Sequence, residues 1–348
     1  MSTTTNISLR DKWIHFHKEN PRVRIRDAAR QLETTEAGIL ASFAGSSVIH
    51  LNTQFAELWK RLPQLGYLMV LTRNESCVHE RKGIFEEVSV NSKHVGVVVG
   101  KDIDLRMLFH CWAFAFAVFD NEAAGFKRSL QVFDHQGVAI IKIYLQPNSD
   151  ETAFDHLVRD FQQALQPTSL NILPAPEPPV YANEKADIPA FVKAWGELKD
   201  THDFFPLLRN YNISRHYAVQ VAGEFTRQVT NDSVKRLLEH ASNTSLEIMV
   251  FVANHGNIQI HTGPVNKIVE IPGWINVMDP AFNLHLRLDH IAETWAVKKP
   301  TTDGPVHSLE VFDAAGELIV QFFESANQDP LNYPNGPILL TPYNSHNN

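Results

Sequence analysis

Two stretches of alternating apolar and polar residues each run into an Asp-x-x-Gly sequence and resume after it. The first covers residues 129–137 and continues through 138–144, and the second covers 308–316 and continues through 318–323. Alternation places every second side chain on one face of an extended strand, and Asp and Gly favour tight turns. Each stretch therefore predicts a β-hairpin made of two antiparallel strands.

The two hairpin sequences correspond to one another. Residues 129–137 and 308–316 share the pattern S-L-x-V-F-D-x-x-G, and each position of the second lies 179 residues after its counterpart. Residues 74–83 and 254–263 also correspond, at a spacing of 180. Similarity at a constant spacing is the signature of an internal repeat. The sequence therefore predicts that one folding unit occurs twice in the chain.

Apolar residues recur three to four positions apart near the start of each repeat, in residues 26–32 and 233–240. This spacing predicts amphipathic helices. Short apolar segments in residues 246–286, with turns expected at 254–256 and 262–263, predict a meander of antiparallel strands. We therefore expect an α+β fold that is a tandem structural repeat, in which each half has helices followed by a large antiparallel β-sheet.

A proline-rich segment separates the two repeats. Residues 167–189 contain six prolines, a composition typical of an extended, semi-rigid connector. We place an N-terminal repeat at residues 1–165, a linker at 166–188 and a C-terminal repeat at 189–326. The remaining residues, 327–348, are rich in Asn and Pro and are expected to form a polar tail.

Composition and charge narrow the function classes. The chain has 44% hydrophobic and 20% charged residues, as in ordinary globular proteins, and it has no apolar run long enough for a membrane span or a signal-peptide core. We therefore expect a cytoplasmic protein without membrane insertion. The formal net charge of -8 argues against nucleic-acid binding, which needs a basic surface. Two cysteines outside any CxxC pair indicate neither a disulfide framework nor a zinc site, whereas 17 histidines permit a metal function.

The sequence has no nucleotide-phosphate loop, nucleophile elbow or H-E-x-x-H motif. The best candidate for a functional site is the segment at residues 198–209. In this segment His202 precedes two phenylalanines and an apolar run. Arg209 and Arg215 follow. An imidazole ligates heme iron, flat aromatic and aliphatic side chains cover the porphyrin, and cations pair with its propionates. The alternative is that His202 only caps or flanks the start of a helix.

Three motifs resemble those of the hemin-degrading-factor family, the HemS/ChuS-like cytoplasmic proteins. They are W-x-x-x-x-D-x-H-x-F-F-x-L-L at residues 195–208, D-L-R-M-L-F at 104–109 and K-K-P-T-T-D-G at 298–304. The resemblance extends from about Trp13 to about Phe323 and includes the duplication. It implies a protein that binds heme as ligand and cofactor.

The resemblance also implies a role for individual residues. By motif position, the axial iron ligand is His202 and the distal group is Arg106, and both are expected to serve the reaction at the iron. Arg215 and Lys299 are expected to contact the propionates, with Arg209 as a neighbour that assists by proximity. The full set of expected heme-binding residues is His202, Arg106, Arg215, Lys299, Phe204 and Gln321.

This sequence departs from the family in its last strand. A tyrosine and an arginine often lie near the heme edge there, whereas Phe323 and Ala326 occupy those positions here. Two polar partners for the propionates are therefore missing, although Gln321 remains on the same strand.

Two residues that the resemblance places at heme also have an interpretation that does not involve heme. In that alternative, Arg106 pairs with Asp104 or covers apolar surface with the stem of its side chain. His79 matches a histidine of the family and is interpreted either as a second, weaker heme contact or as a strand residue that faces solvent.

The resemblance implies a function in heme uptake and iron acquisition. The first hypothesis is that the protein holds imported heme and, with a reductant, supports opening of the ring and release of iron. The second is a non-catalytic carrier that delivers heme to a separate heme oxygenase. A heme-free interaction module is the third. Besides heme, the expected partners are an inner-membrane heme importer, an electron donor or a heme oxygenase.

Overall fold

The structure is a computed structural model that describes residues 7–90 and 94–324, which form two compact units. Within these residues the first unit comprises 7–73, 80–90, 94–176 and 253–259, and the second comprises 74–79, 177–252 and 260–324. Ala326 and the tail at 327–348 lie outside the described residues. The repeat and linker boundaries drawn from the sequence remain predictions.

The helices of the first unit come mainly before and after its strands, and those of the second unit come mainly before its strands. The helices are α1 (Leu9–Glu19), α2 (Ile25–Gln31), α3 (Glu36–Ala41), α4 (Phe55–Trp59), α5 (Glu151–Phe161), α6 (Ile188–Gly196), α7 (Phe204–Tyr211), α8 (Arg215–Val221) and α9 (Ser233–Thr244). Within the described ranges, none is long and apolar enough to cross a membrane.

The strands are short, as expected for a meander. They are β1 (Val48–Leu51), β2 (Gly66–Arg73), β3 (Cys77–Ile84), β4 (Glu87–Val90), β5 (Val95–Val99), β6 (Asp104–Leu108), β7 (Phe114–Val118), β8 (Ser129–Phe133), β9 (Ala139–Ser149), β10 (Thr226–Val229), β11 (Glu247–Ala253), β12 (Asn257–Pro264), β13 (Ile268–Ile271), β14 (Trp274–Met278), β15 (Phe282–Arg287), β16 (Glu293–Lys299), β17 (Val306–Phe312) and β18 (Leu318–Glu324).

The same strand order occurs in both units. In the first unit, antiparallel pairing joins β1, β7, β8, β9 and β2 in that order, and also joins β4, β5 and β6. In the second unit, it joins β10, β16, β17, β18 and β11, and also β13, β14 and β15. The α+β class and the tandem repeat with large antiparallel sheets are therefore confirmed. Each unit also places a helix, α4 or α9, between its first two strands.

The two predicted hairpins are confirmed, and they match in detail. Strand β8 pairs with β9 and strand β17 pairs with β18, and each pair has a register shift just before the turn. In each turn one carboxylate oxygen, from Asp134 or Asp313, accepts hydrogen bonds from two backbone N–H groups. Gly137 and Gly316 follow with φ of 71° and 79°, which only glycine adopts without strain. Repeated Asp and Gly residues therefore specify the same turn twice.

The other local predictions have mixed outcomes. The helical patterns at residues 26–32 and 233–240 correspond to α2 and α9, and the turn at 254–256 separates β11 from β12. The turn predicted at 262–263 is wrong, because β12 continues through both residues to Pro264. Gly263 has a φ of 139°, so the absence of a side chain lets the strand pass a position that resembles a turn in sequence.

One apolar cluster supports the segment that carries His202. Trp195 of α6 lies with its ring 4.8 Å from that of Phe204 in α7, and its Nε1–H donates to the backbone oxygen of Lys298 at 2.9 Å. Phe312 of β17 belongs to the same buried cluster. Helices α6 and α7 are therefore fixed against strands β16 and β17, and this fixes the start of α7.

We expect Asp313→Ala to destabilise the fold by about 1 to 3 kcal/mol, because two backbone N–H groups of the turn lose their acceptor. Urea denaturation followed by circular dichroism measures this change. Asp313→Asn, which keeps one acceptor oxygen, serves as the control and loses less. Equal losses in both variants would show that the acceptor is not the cause.

Candidate functional site

His202 lies in a short 3-10 turn, Thr201–Asp203, directly before α7. The turn forms because Asp200 caps it: the Asp200 Oδ1 atom accepts a hydrogen bond from the backbone N–H of His202 at 2.8 Å. Helix α7 then buries Phe204, Leu207 and Leu208, which share one helical face. The apolar face of α7 and the Asp200 cap together hold His202 at the start of the helix.

The imidazole of His202 is exposed and already oriented. Its side chain is 90% exposed, and its Nδ1 lies 2.6 Å from Asp200 Oδ1. The backbone hydrogen bond from His202, followed by the one from its ring, holds the pKa of Asp200 below its ordinary value. A ring whose Nδ1–H donates to a carboxylate has its Nε2 lone pair available, which is the arrangement that metal-binding histidines use. His202 therefore flanks the start of a helix, as the alternative predicts, and its ring is also oriented as a ligand would be.

The two phenylalanines after His202 have different environments. Phe204 is buried in the core, whereas the side chain of Phe205 is 56% exposed. The Cζ atom of Arg215 lies 5.2 Å from the Phe204 ring centre and 5.5 Å from that of Phe205. Phe205, which the sequence did not single out, has the exposure expected of a ring that covers a porphyrin. Phe204 instead packs against the cations Arg215 and Lys299 from within the core.

A buried carboxylate lies at the centre of the predicted propionate contacts. Glu310 of β17 is fully buried, and Arg215 donates to it through Nε at 2.8 Å and through Nη2 at 2.7 Å. Lys299 of β16 donates to Glu310 Oε1 through Nζ at 2.7 Å. Gln321 of β18 donates to the same oxygen at 3.1 Å. We call these four residues the Glu310 cluster.

The cluster contains ionised groups in an apolar environment. Burial by itself raises the pKa of Glu310, but the charges of Arg215 and Lys299 outweigh it and hold that pKa well below its ordinary value. Burial lowers the pKa of Lys299, and the Glu310 carboxylate opposes this effect. The Nζ atom of Lys299 also lies 4.6 Å from the centre of the Phe204 ring, a cation–π distance. Lys299 therefore depends on Glu310 to keep its proton.

The structure thus brings together most of the residues expected to bind heme. Arg215, Lys299 and Gln321 donate to Glu310. The Phe204 ring lies against both cations, and His202 lies two residues before Phe204. Phe323, which replaces the tyrosine of related sequences, packs its ring 4.7 Å from that of Phe251. Whether these groups contact heme stays a prediction.

Arg106 belongs to the first unit and lies on β6. Its guanidinium forms an ion pair with Asp104, and its Nη1 also donates to the backbone oxygen of Leu105 at 3.1 Å. The pairing with Asp104 that the sequence left open is therefore present. The distal role of Arg106 at heme stays a prediction.

The interpretation of His79 as a solvent-facing strand residue is wrong. His79 is fully buried in β3, and its ring lies 5.0 Å from that of Phe282. Residues 77 and 79 of β3 both face the interior, since alternate residues of a strand share a face. The other interpretation of His79, a second and weaker heme contact, stays a prediction.

The first unit carries a different charge pattern at the matching positions. Glu36 is the first residue of α3, as Arg215 is of α8, and it forms a buried ion pair with Lys142. Gln131 holds the position that corresponds to Glu310, and it bonds to Ser129 Oγ at 3.0 Å. At the positions that match Arg215 and Glu310, the first unit therefore has a carboxylate and a neutral amide instead of a cation and a carboxylate.

Glu310 is the functional candidate that the sequence reasoning missed. The signal was present in the repeated hairpin motif, where x is Gln131 in one copy and Glu310 in the other. A charged residue at an alternate, inward-facing position of a strand requires charged partners, because an unpaired buried carboxylate is very costly. That requirement predicts cationic partners for Glu310, but it does not say which residues they are.

The chain matches a family model described as the haemin-degrading HemS.ChuX domain at residues 33–161 and 212–335. The chain belongs to this family. Among HemS.ChuX proteins, the hemin transport protein HmuS of Yersinia pestis is 35% identical over 324 residues, which cover 91% of this chain and 92% of that protein.

Two solved structures extend the comparison to the fold. One is holo-PhuS, a heme-binding protein from Pseudomonas aeruginosa, with a TM-score of 0.89 and 42% identity over 92% of this chain and 93% of that one. The other is the heme degrading enzyme ChuS of Escherichia coli O157:H7, with a TM-score of 0.84 and 33% identity over 92% of this chain and 95% of that one. The tandem-repeat fold is therefore shared with HemS.ChuX relatives of similar length.

We expect Glu310→Gln to lower the free energy of unfolding at neutral pH by about 3 to 5 kcal/mol, because the buried cations Arg215 and Lys299 lose their counter-ion. Because the native pKa of Glu310 lies below its ordinary value of 4.5, its contribution is complete above that pH and is lost as the pH falls below it. Urea denaturation from neutral to acidic pH measures both effects.

Glu317→Gln serves as the matched control for this variant, because Glu317 is exposed on the same hairpin. We expect it to change stability little. A Glu310→Gln protein as stable as the control at neutral pH would contradict the ionised state of the cluster.

Proposed function

We propose that this chain binds heme at a surface formed by His202, Phe205 and Arg215, with His202 as the axial ligand to iron. The observation that carries the proposal is the exposed imidazole of His202, whose Nδ1 lies 2.6 Å from a carboxylate oxygen. This contact orients the ring and leaves Nε2 as a ligand for iron. We name these three residues the His202 surface.

The residues present fit the chemical parts of heme. The exposed ring of Phe205 offers an apolar face to the flat macrocycle, next to His202 in the chain. The side chain of Arg215 is 15% exposed and offers charge-assisted hydrogen bonds to a propionate. Lys299, whose side chain is only 4% exposed, adds a buried positive charge to the site. Heme bound here supplies the redox chemistry of its iron, and the protein supplies the ligand and the counter-charge.

The proposal assigns one heme to each chain. The first unit has Val23 at the position of His202, and its charged pair of Glu36 and Lys142 is neutral overall. It therefore lacks an imidazole at the position that matches His202 and a cation at the position that matches Arg215. Arg106 is proposed as the distal group.

We further propose that the protein acts in the cytoplasm, in heme uptake and iron acquisition, and that it degrades heme when O2 and an electron donor are supplied. The family model is named for hemin degradation, and the similar protein ChuS is described as a heme degrading enzyme. The proposed partners are a heme importer and the electron donor.

A carrier function is the second candidate, because the similar protein HmuS is described as a hemin transport protein. In that case the chain delivers intact heme to a separate heme oxygenase. Both candidates use the same His202 surface, so only the fate of the bound heme separates them.

We expect His202→Ala to lose the histidine signature of the ferric heme complex, because no neighbouring side chain replaces the coordinate bond. Some heme should still bind through burial of the porphyrin and through Arg215. Resonance Raman and electron paramagnetic resonance report the ligation, and a Soret titration reports one equivalent per chain in the wild type. The matched control is His15→Ala, which removes an exposed histidine of α1 and should leave the spectrum intact. An unchanged ligation spectrum in His202→Ala would refute the assignment.

We expect the heme-loaded protein, given reductant and O2 in the presence of catalase, to form a linear tetrapyrrole and release iron. Catalase removes free peroxide, which attacks heme without help from an enzyme. The visible spectrum and an iron-chelator assay follow the two products. An intact heme spectrum under these conditions, with transfer of heme to an added oxygenase, would establish the carrier function instead.

A further inference from the structure

Glu310 determines the orientation of the Arg215 guanidinium. The two hydrogen bonds at 2.8 Å and 2.7 Å run from Nε and Nη2 to the two oxygens of one carboxylate. This bidentate geometry fixes the plane of the guanidinium. Since a guanidinium has five N–H donors, three remain on the edge that Glu310 does not occupy. The ring faces of Phe204 and Phe205, 5.2 Å and 5.5 Å from Cζ, confine Arg215 on another side.

Glu310 also determines the charge of the cluster. Arg215 and Lys299 each carry one positive charge and Glu310 carries one negative charge, so a single net positive charge remains. Lys299 is deeply buried, and its ammonium donates to the same oxygen, Oε1, that Arg215 Nη2 contacts. A ligand carboxylate carries one negative charge. The charge left by the Glu310 cluster is therefore equal and opposite to that of one carboxylate.

We propose that Glu310 is a positioning residue for a carboxylate of the ligand: it aims the outer N–H groups of Arg215 at that carboxylate and keeps Lys299 charged, so that the site presents one net positive charge throughout the physiological pH range. This inference rests on the proposed heme function. It goes further by naming the residue that sets the selectivity of the His202 surface for a porphyrin with free carboxylates.

The surroundings of Lys299 support this role. Burial lowers its pKa first, the charge of Arg215 lowers it further, and Glu310 is the group that raises it. The elements packed against Glu310 contribute Arg215 from α8, Lys299 from β16 and the neutral Gln321 from β18. Ser308, on the same strand, is neutral too. Without Glu310 the two remaining effects both favour loss of the Lys299 proton, so its charge becomes sensitive to pH.

The first unit shows that the hairpin forms without an acidic residue at this position. Gln131 occupies it, and the local ion pair is made instead by Glu36 and Lys142. A glutamate at position 310 is therefore not a requirement of the repeated strand. Its presence coincides with the unit in which Arg215 and Lys299 share one carboxylate as counter-ion.

The test compares heme with its dimethyl ester, which has the same iron and ring but no free carboxylates. Each affinity is measured for the wild type and for Glu310→Gln between about pH 6 and pH 9, because the variant lacks the group that raises the pKa of Lys299. The ratio of the two affinities isolates the carboxylate contribution, because changes in iron ligation affect both ligands alike. Circular dichroism confirms that each variant is folded.

For the wild type we expect a preference for heme that does not change with pH. For Glu310→Gln we expect a ratio about tenfold smaller than the wild-type ratio at the alkaline end, where Lys299 has lost its proton and Arg215 is no longer aimed at the carboxylate, and a larger ratio toward the acidic end, where Lys299 carries its charge. The matched control is the double variant Glu310→Gln/Lys299→Met, in which Arg215 alone remains charged. It should show a ratio independent of pH, and it keeps the test available if Glu310→Gln does not fold.

The outcomes separate this inference from the proposed function. If the wild type binds neither ligand, the heme function fails. If it binds both equally, the carboxylate contact fails and the role of Glu310 fails with it. If the wild type prefers heme, and the ratio in Glu310→Gln equals the wild-type ratio at every pH, only the positioning role of Glu310 is overturned. A pH-dependent ratio in the double variant would likewise overturn it, because Lys299 is then not the titrating group.

Discussion

The candidate site depends on one buried carboxylate shared by two cations. Without Glu310, the guanidinium of Arg215 and the ammonium of Lys299 lack the counter-ion that makes their burial tolerable. These cations come from a helix and a strand that are distant in sequence, so the ion pairs also tie α8 to β16 and β17. The same contact therefore holds the helix on the sheet and keeps positive charge next to the exposed His202.

Much of the fold can be predicted from the sequence, because its turns and strands depend on residues that are close together in the chain. The Asp-x-x-Gly turns, the alternation of the strands and the repeat spacing each depend on a few neighbouring residues, and both hairpins follow from them. The failures have physical causes too. Gly263 resembles a turn but lies in a strand, and His79 has a polar side chain on the inward face of β3. Composition alone does not reveal either environment.

The site was only partly readable, because its central contact joins residues far apart in the chain. The motifs pointed to His202, Arg215 and Lys299, yet nothing local shows that the two cations share Glu310, which lies 95 residues after Arg215. The sequence also could not show which of the two phenylalanines is exposed, because Phe204 and Phe205 belong to one motif and differ only in burial. Tertiary packing, and not residue type, decides which of two adjacent side chains meets solvent.

The turn that carries His202 has a kinetic consequence. Its backbone is capped by Asp200, and the same carboxylate oxygen orients the imidazole before any ligand arrives. The entropy of ordering this side chain is thus lost during folding and not at each encounter with a ligand. A ligand that approaches Nε2 therefore meets a ring that is already held in place, and its binding requires no rearrangement of this turn.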